Sequence, residues 1–329
     1  VGGTVAGGNL EDNVDTVPPL RVMCVVYGYT RSRSRLEAIG DTWGRRCDGF
    51  MALSPETVPA LGMVHVPHFG GYEGSIKSLW QILRSLLAYV HDNYKWDYDY
   101  FHFCQEDVYL IVENLRLFLR ELEMEREKTQ EPKCHNPVFT GLRQRMKKGG
   151  YHTLGGFTIN RDTLITLVKK ASHCYSTLTN PYAERLLGEC LVAQQIIAAP
   201  SVDKRKEKRY HNSDPEEVFR KSKPVDYTKE RWLDQRTLTT ASQGTVSFTR
   251  IFTPAKMRRL HKLLYRQNER DCYPDGSGVE PGRKITSNTP KTFPYATCTW
   301  DLKTGGWVDC SAYLKVTGKM NDTVLENQT

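Results

Sequence analysis

The apolar and polar positions of this chain alternate between short apolar runs and longer stretches with one apolar face. Runs at 20–29, 49–54 and 62–68 predict buried strands, because their apolar residues are nearly continuous. Residues 75–94 place leucine, isoleucine and valine at helical spacing, which predicts an amphipathic helix. Strands that alternate with helices predict an α/β fold, in which helices cover both faces of a mostly parallel central sheet.

A polar tip follows the fourth predicted strand. The apolar residues of 100–103 predict a buried strand, and helical spacing begins at Val108. Gln105, Glu106 and Asp107 lie between them, at the strand end where open α/β sheets bind ligands. Two carboxylates there are candidate ligands for a hard divalent cation, since desolvating them without a partner is costly. Alternatively, Asp107 caps the following helix, and spacing alone favours neither interpretation.

The second half of the chain continues the alternation. A strand is predicted at 137–143, and "GGYHTLGGFTIN" (149–160) predicts a glycine-rich turn followed by a strand. Asn160 is a good N-cap for the helix that follows it. Residues 198–243 are polar and predict irregular structure. The remaining predicted elements are a helix at 181–197, a strand at 244–252, a helix at 254–266 and a hairpin at 297–310.

Three further places carry candidate chemistry. Gly155 and Gly156 would let a ligand approach the backbone closely, although a plain tight turn explains the same residues. Glu184, on a predicted helix, is a candidate general base or a surface acid. His211 is a candidate site residue or an ordinary loop histidine. The residues alone leave each pair of alternatives open.

The composition sets the class of protein. The chain has 329 residues, of which 39% are hydrophobic, 26% charged and 10% aromatic, enough for one large domain or two modest ones. Its net charge of +8 suits an anionic ligand such as a nucleotide phosphate and is too small to indicate nucleic acid binding. No run approaches 18 apolar residues, so no membrane span is predicted. Because the chain begins with valine, we expect a processed product, from which an N-terminal signal or anchor could have been removed.

The nine cysteines are informative about metal binding and about the redox environment of the protein. They include no CxxC pair, which argues against structural zinc. Together with glycosylation sequons at Asn321 and Asn327, their number indicates an oxidising, secretory environment. The odd count implies at least one free thiol or an intermolecular bridge. By domain, we predict a flexible glycine-rich stalk at 1–19, a main domain at 20–267 and a cysteine-containing extension at 268–329 that carries both sequons.

Eight segments follow one another in an informative order. They are "RVMCVV", "TWGRRC" (42–47), "LAYVHDNY" (87–94), "DYFHFCQEDVYLIVENLR" (99–116), the glycine-rich strand, "LLGEC" (186–190), "RYHNSDPEE" (209–217) and "TVSFTR" (245–250). In this order they resemble family 31 glycosyltransferases, specifically the branch that contains core 1 β1,3-galactosyltransferase. The resemblance covers about residues 20–266 and is far more specific than any single motif.

The resemblance implies a GT-A fold with a Rossmann-like nucleotide-binding half. It implies a UDP-sugar donor, Mn²⁺ as cofactor and a glycoprotein or glycan acceptor. It also implies a Golgi-lumen enzyme, tethered as a type II membrane protein by an anchor that precedes this chain. Disulfides joining Cys24 to Cys47 and Cys174 to Cys190 are implied in the same way. The oligomeric state stays open, with a homodimer as one alternative.

Carried over residue by residue, the resemblance implies an inverting single displacement, specifically a β1,3-galactosyl transfer. Asp107, with help from Glu106, would bind Mn²⁺ against the diphosphate. Glu184 would accept the proton of the attacking acceptor hydroxyl. The donor pocket would also include a glycine pair and a histidine, namely Gly155, Gly156 and His211.

Four departures from the family pattern lie at its chemistry. Gln105 replaces an acid of the metal motif, and Thr249 stands where active relatives have a histidine ligand. Ile82 replaces a lysine near the nucleotide, and the pair 153–154 (Thr-Leu) replaces two glycines beside the donor sugar. Loss of a ligand weakens a Mn²⁺-class site. Because the same branch contains a non-catalytic chaperone of the galactosyltransferase, an inactive chaperone or binding subunit is the alternative function.

Overall fold

The computed structural model describes residues 20–28, 32–66, 79–128, 136–145, 151–169, 183–220, 242–265, 299–300 and 307–308. The predicted stalk at 1–19, the predicted disulfide partner Cys174, and the sequons at Asn321 and Asn327 lie outside the described residues. None of the described helices is both long enough and apolar enough to cross a membrane.

The described strands form one large sheet and two small pairs. The strands are β1 (Val22–Tyr27), β2 (Gly49–Leu53), β3 (Met63–Val64), β4 (Tyr100–Gln105), β5 (Tyr109–Leu110), β6 (Phe139–Arg145), β7 (Tyr151–Asn160), β8 (Ser247–Phe248), β9 (Thr299–Trp300) and β10 (Trp307–Val308). The large sheet has the order β3-β2-β1-β4-β7-β6. Neighbours from β3 to β4 are parallel, while β7 runs antiparallel to both β4 and β6. The predicted mostly parallel sheet is therefore confirmed.

Helices cover both faces of this sheet. They are α1 (Arg33–Gly40), α2 (Leu79–Tyr94), α3 (Val112–Lys128), α4 (Arg161–Lys169), α5 (Ala183–Ala193), α6 (Pro215–Arg220) and α7 (Pro254–Tyr265). Odd-numbered residues of β1 and β4 pack with α2, α4 and α5, and even-numbered residues pack with α1, α3 and α7. Each fully buried aliphatic or aromatic side chain stabilises this sandwich by about 1.5–3 kcal/mol. This is the α/β architecture that the sequence predicts, and it is compatible with a GT-A fold.

Two local predictions are confirmed by specific bonds. Asn160 caps α4, because its side-chain oxygen accepts a hydrogen bond from the backbone N–H of Thr163 at 3.0 Å. Cys24 and Cys47 form the predicted disulfide across 23 residues of sequence. Closing a loop of that length stabilises a fold by about 3 kcal/mol. Cys190 is also disulfide-bonded.

Several predicted boundaries were wrong. No helix begins at Val108, since β5 pairs with β8 there and α3 begins at Val112. The continuous apolar run suits either state, and pairing buries it completely. The strand predicted at 244–252 is shorter in the structure, where only β8 forms. Its partner β5 has only two residues to pair with it. The segment 198–243 contains α6, where Asp214 accepts a hydrogen bond from the N–H of Glu217 at 2.8 Å.

Candidate functional site at the β1–β4 switch

The candidate site lies where the order of the sheet strands reverses. The chain proceeds from β1 to β2 and β3 on one side and returns to β4 on the other side of β1. In open α/β sheets, ligands bind at the carboxyl ends of the strands beside such a switch point. Tyr27 ends β1 and Gln105 ends β4, and the two residues are partners in the parallel register. Their side chains therefore lie side by side at the expected position of a ligand.

The three polar residues at the end of β4 have different partners. Successive side chains of a strand point to opposite faces of the sheet. The Gln105 side-chain amide donates a hydrogen bond to Glu184 on α5. By contrast, Glu106 turns to α1, where Arg35 lies 3.2 Å from its Oε1 atom. Gln105, Glu106 and Asp107 therefore do not form one ligand set.

Glu184 lies in the first turn of α5 and is 5% exposed, so the interpretation as a surface acid was wrong. Its Oε1 atom accepts hydrogen bonds from the Tyr27 hydroxyl at 2.8 Å and from the Gln105 amide. Its Oε2 atom accepts no hydrogen bond from the described residues. Burial, reinforced by Glu184, raises the pKa of Tyr27, so this hydroxyl stays a neutral donor. One carboxylate oxygen is thus held while the other stays available.

Asp107 is held by the backbone rather than by a cation. Its Oδ2 atom accepts a hydrogen bond from the backbone N–H of Arg250 at 3.2 Å. Burial raises the pKa of Asp107; backbone hydrogen bonds oppose this shift, and Glu106 and Glu184 add to it. Asp107 does not cap α3, because that helix begins five residues later, at Val112. It is a partly buried carboxylate with two acidic neighbours.

Glu106 is neutralised from the other face of the sheet. It is 5% exposed and forms its ion pair with Arg35. Its side chain fills the space beside Gly28, where an added Cβ would lie only 2.8 Å from the Glu106 Cδ atom. Metal ligation by Glu106 would require it to leave this arginine and this packing.

The fit of a metal ion to these residues is therefore restricted. Among the described residues, no group of three or more His, Cys, Asp or Glu side chains is placed to hold a metal. Ions of the Mg²⁺ class can nevertheless bind through one carboxylate and the phosphates of a substrate. Asp107 fits this role, since no cationic side chain of the described residues pairs with it. Mn²⁺ fits here only as an ion bound together with a diphosphate, with Glu106 left out of the ligand set.

Gly155 and Gly156 lie within β7 and not in a turn before it, so that prediction was wrong. The β6–β7 register slips at this point, since Gly141 pairs with Phe157 while the next residue of β6 pairs with Leu154. Both glycines have positive φ, +85° and +93°. A Cβ on Gly156 would lie 2.9 Å from the Cys104 Cβ, so the position requires glycine. The bulge brings bare backbone to the edge of the site.

His211 and Thr249 lie in the wall beside this bulge. A Cβ on Gly155 would lie 3.0 Å from the His211 carbonyl oxygen and 3.1 Å from the Thr249 Cγ2 atom. The His211 imidazole is buried and stacks on Phe248 with 5.2 Å between ring centroids. Burial lowers its pKa to about 4, so the ring is neutral at physiological pH. His211 is therefore a buried wall residue rather than an ordinary loop histidine.

The other departures from the family pattern lie in α2 and β7. Ile82 is a core residue of α2, with 1% exposure. The pair 153–154 belongs to β7, and the side chains of this pair lie outside what the structure describes. Cys104 carries a buried free thiol, whose pKa is raised by burial and by Asp107. Sequence reasoning missed Tyr27 and Arg35 as site residues, although alternation along β1 could have indicated Tyr27.

A separate cavity of about 290 Å³ lies between α3 and the segments 203–209 and 242–244. Its acidic and basic lining residues are equal in number, and Arg209 pairs with Glu121 at 2.6 Å. None of the carboxylates at the switch point lines it. The cavity therefore does not supply the chemistry discussed above.

The fold and this site define a Rossmann-like α/β protein with a buried carboxylate at its ligand-binding edge. Over 203 residues, the chain is 26% identical to the protein of Xenopus laevis named Glycoprotein-N-acetylgalactosamine 3-beta-galactosyltransferase 1. The match covers 60% of this chain and 52% of that protein, so the chain spans about half the length of this curated relative. No family model matches the chain. The similarity is distant and supports a relationship to glycosyltransferases.

Proposed function

We propose that this chain transfers a sugar from a UDP-sugar to a hydroxyl group of a glycan or glycoprotein, with inversion at the anomeric carbon. The specific form of the proposal is β1,3-galactosyl transfer to a GalNAc-type acceptor in the secretory pathway. The observation that carries it is Glu184, buried beside a strand switch with one oxygen held and the other available. The distant galactosyltransferase relative supports the same class of reaction.

In the proposed step, the acceptor oxygen attacks the anomeric carbon, and the bond from that carbon to the diphosphate oxygen breaks. The electron pair leaves with UDP, and the acceptor proton passes to Glu184 Oε2. Glu184 lies in the N-terminal turn of α5, at the positive end of the helix dipole. The glycine bulge of β7 lets backbone, rather than side chains, approach the sugar.

Asp107 is the residue that would hold Mn²⁺ together with the diphosphate. Bound there, the ion would offset the negative charge that develops on departing UDP. The protein's own contribution is to keep Asp107 oriented through the backbone N–H of Arg250. Glu106 has a different task, because its pair with Arg35 ties β4 to α1.

The alternative is a non-catalytic chaperone or binding subunit of an active transferase. One observation favours it: Glu106 is closed off by Arg35 and leaves a single carboxylate for a metal. This alternative predicts no affinity for UDP or UDP-sugars with or without Mn²⁺.

The experiment combines binding with turnover. We expect calorimetry to show UDP binding, and a panel of UDP-sugars with a GalNAc-bearing glycopeptide to show UDP release from one donor. Glu184→Gln should reduce turnover by about 10²–10⁴-fold and leave UDP affinity unchanged, because a general base contributes a factor of that size. The matched control is Glu189→Gln on the same helix, where Glu189 forms an exposed pair with Arg185. Absence of UDP binding would overturn the proposal in favour of the alternative.

A further inference from the structure

We propose that Gln105 is a positioning residue for Glu184, which with Tyr27 fixes one carboxylate oxygen and thereby directs the other to the acceptor hydroxyl. This inference rests on the proposed function, since it assigns Glu184 as the base. It reverses the expectation from the sequence, in which Gln105 only weakens a metal motif.

The arrangement of the two donors supports this role. Tyr27 and Gln105 are register partners on adjacent parallel strands in the middle of the sheet. Both donate to the same Oε1 atom of Glu184, the tyrosine at 2.8 Å. Because each donor is a side chain of a central strand, the sheet fixes the position of both donors. Such a clamp orients Oε2 without taking up its lone pairs.

The chemistry of an amide suits this position better than that of an acid. An amide N–H group is neutral and donates to an ionised carboxylate at any pH. A carboxylate at position 105 would instead face Glu184 Oε1, and two close carboxylates cannot both ionise without penalty. Glutamine therefore supports Glu184 with a hydrogen bond and adds no second negative charge beside it.

The orientation of Gln105 also explains why it is unsuited to a metal. The Gln105 amide donates to Glu184 on α5, while Asp107 accepts a hydrogen bond from the backbone N–H of Arg250. Gln105 therefore contacts the proposed base rather than the proposed metal ligand.

The test uses two substitutions at the same position. Gln105→Met keeps the volume and removes the donor, and we expect kcat to fall about ten- to a hundredfold, as for loss of one hydrogen bond to a charged group. The kcat of Gln105→Glu should fall by at least the same factor. Both variants should keep the KM for the donor and the calorimetric affinity for UDP, since neither change touches the diphosphate. Tyr27→Phe should lower kcat by a similar factor to Gln105→Met. It provides the test if the Gln105 variants fail to fold.

The decisive controls use the base itself. In a Glu184→Gln background, Gln105→Met should cause no further loss, because its effect acts through Glu184. A separate loss in that background would overturn the inference. Unchanged kcat in Gln105→Met, or higher kcat in Gln105→Glu, would also overturn it while leaving the proposed function intact. A wild-type chain that turns over no UDP-sugar would overturn both.

Discussion

Partly buried carboxylates occur in two regions of this molecule, and their charge is compensated in different ways. In the α7 anchor, formed by Arg46, Glu113 and Tyr265, the Glu113 carboxylate receives hydrogen bonds from the arginine and the tyrosine, each at 2.6 Å. Burial raises the pKa of Glu113, but these two partners outweigh it and leave the pKa below its usual value. At the switch point, burial raises the pKa of Asp107, and only backbone hydrogen bonds oppose the shift.

The difference separates a structural role from a chemical one. A carboxylate that is paired with a cation and a hydroxyl joins two elements, here α3 and α7. Carboxylates gathered without enough positive charge cost stability and are typical of sites that bind a cation or move a proton. Glu106 marks the boundary between the two cases, because Arg35 neutralises it while its neighbour Asp107 stays without a cationic partner among the described residues.

The largest expected effect is a loss of folding stability at low pH, caused by buried histidines near both regions. Burial lowers the pKa of His102 to about 3 and those of His211 and His261 to about 4. Below the unfolded pKa of about 6.5, the unfolded chain binds more protons than the folded one, so stability falls as pH falls. On this basis, each of the three histidines lowers the free energy of unfolding by about 2 kcal/mol at pH 5. Urea unfolding between pH 7 and 4.5 should show a loss of several kcal/mol.

A substitution at one histidine tests how much of the pH dependence that residue causes. His211→Gln should flatten part of the pH dependence, because glutamine does not titrate. A wild-type unfolding free energy that stays constant from pH 7 to 4.5 would contradict three buried neutral imidazoles.

The next effect concerns the glycine bulge beside the site. Gly156→Ala places a Cβ at a φ of +93°, within 3.0 Å of both the Cys104 Cβ and the His102 ring. Strain of this kind costs about 1–3 kcal/mol, and the clash adds to it. We expect a loss of about 3 kcal/mol in urea unfolding, together with reduced UDP-sugar turnover. Gly62→Ala is the control away from the site, since Gly62 also has a positive φ, +65°.

Much of the fold could be predicted, because burial forces a regular spacing of apolar residues onto strands and helices. The disulfide Cys24–Cys47 followed from the family resemblance and is present. The site was harder, since its contacts join distant parts of the chain: Tyr27 meets Glu184 across 157 residues and Arg250 meets Asp107 across 143. Neither pair leaves a local pattern. The opposite directions of Gln105 and Glu106 follow from strand alternation, but only once β4 is known to extend through Gln105.

A smaller effect should separate the two regions directly. Glu113→Gln leaves Arg46 without a carboxylate partner, and hydrogen bonds to charged groups contribute about 1.5–3 kcal/mol. Because Glu113 is 39% exposed, solvent screening reduces this to about 1–2 kcal/mol. UDP-sugar turnover should be unchanged, the reverse of the pattern expected for Glu184→Gln. Loss of turnover without loss of stability would show that the α7 anchor takes part in the chemistry.

The smallest effect tests whether partial burial of the anchor matters. Arg258 on the same helix pairs with Asp41 at 2.8 Å, but 44% and 57% of the two side chains are exposed. Exposed pairs of this kind are worth about 0–1 kcal/mol, so Arg258→Ala should change the unfolding free energy by less than about 0.5 kcal/mol. Arg258 attaches α7 to Asp41, whereas Tyr265 attaches it to Glu113, whose charge is compensated by Arg46 in a less exposed place. If Arg258→Ala proved as costly as Glu113→Gln, attachment of α7 as such, rather than charge compensation in a partly buried site, would explain the anchor.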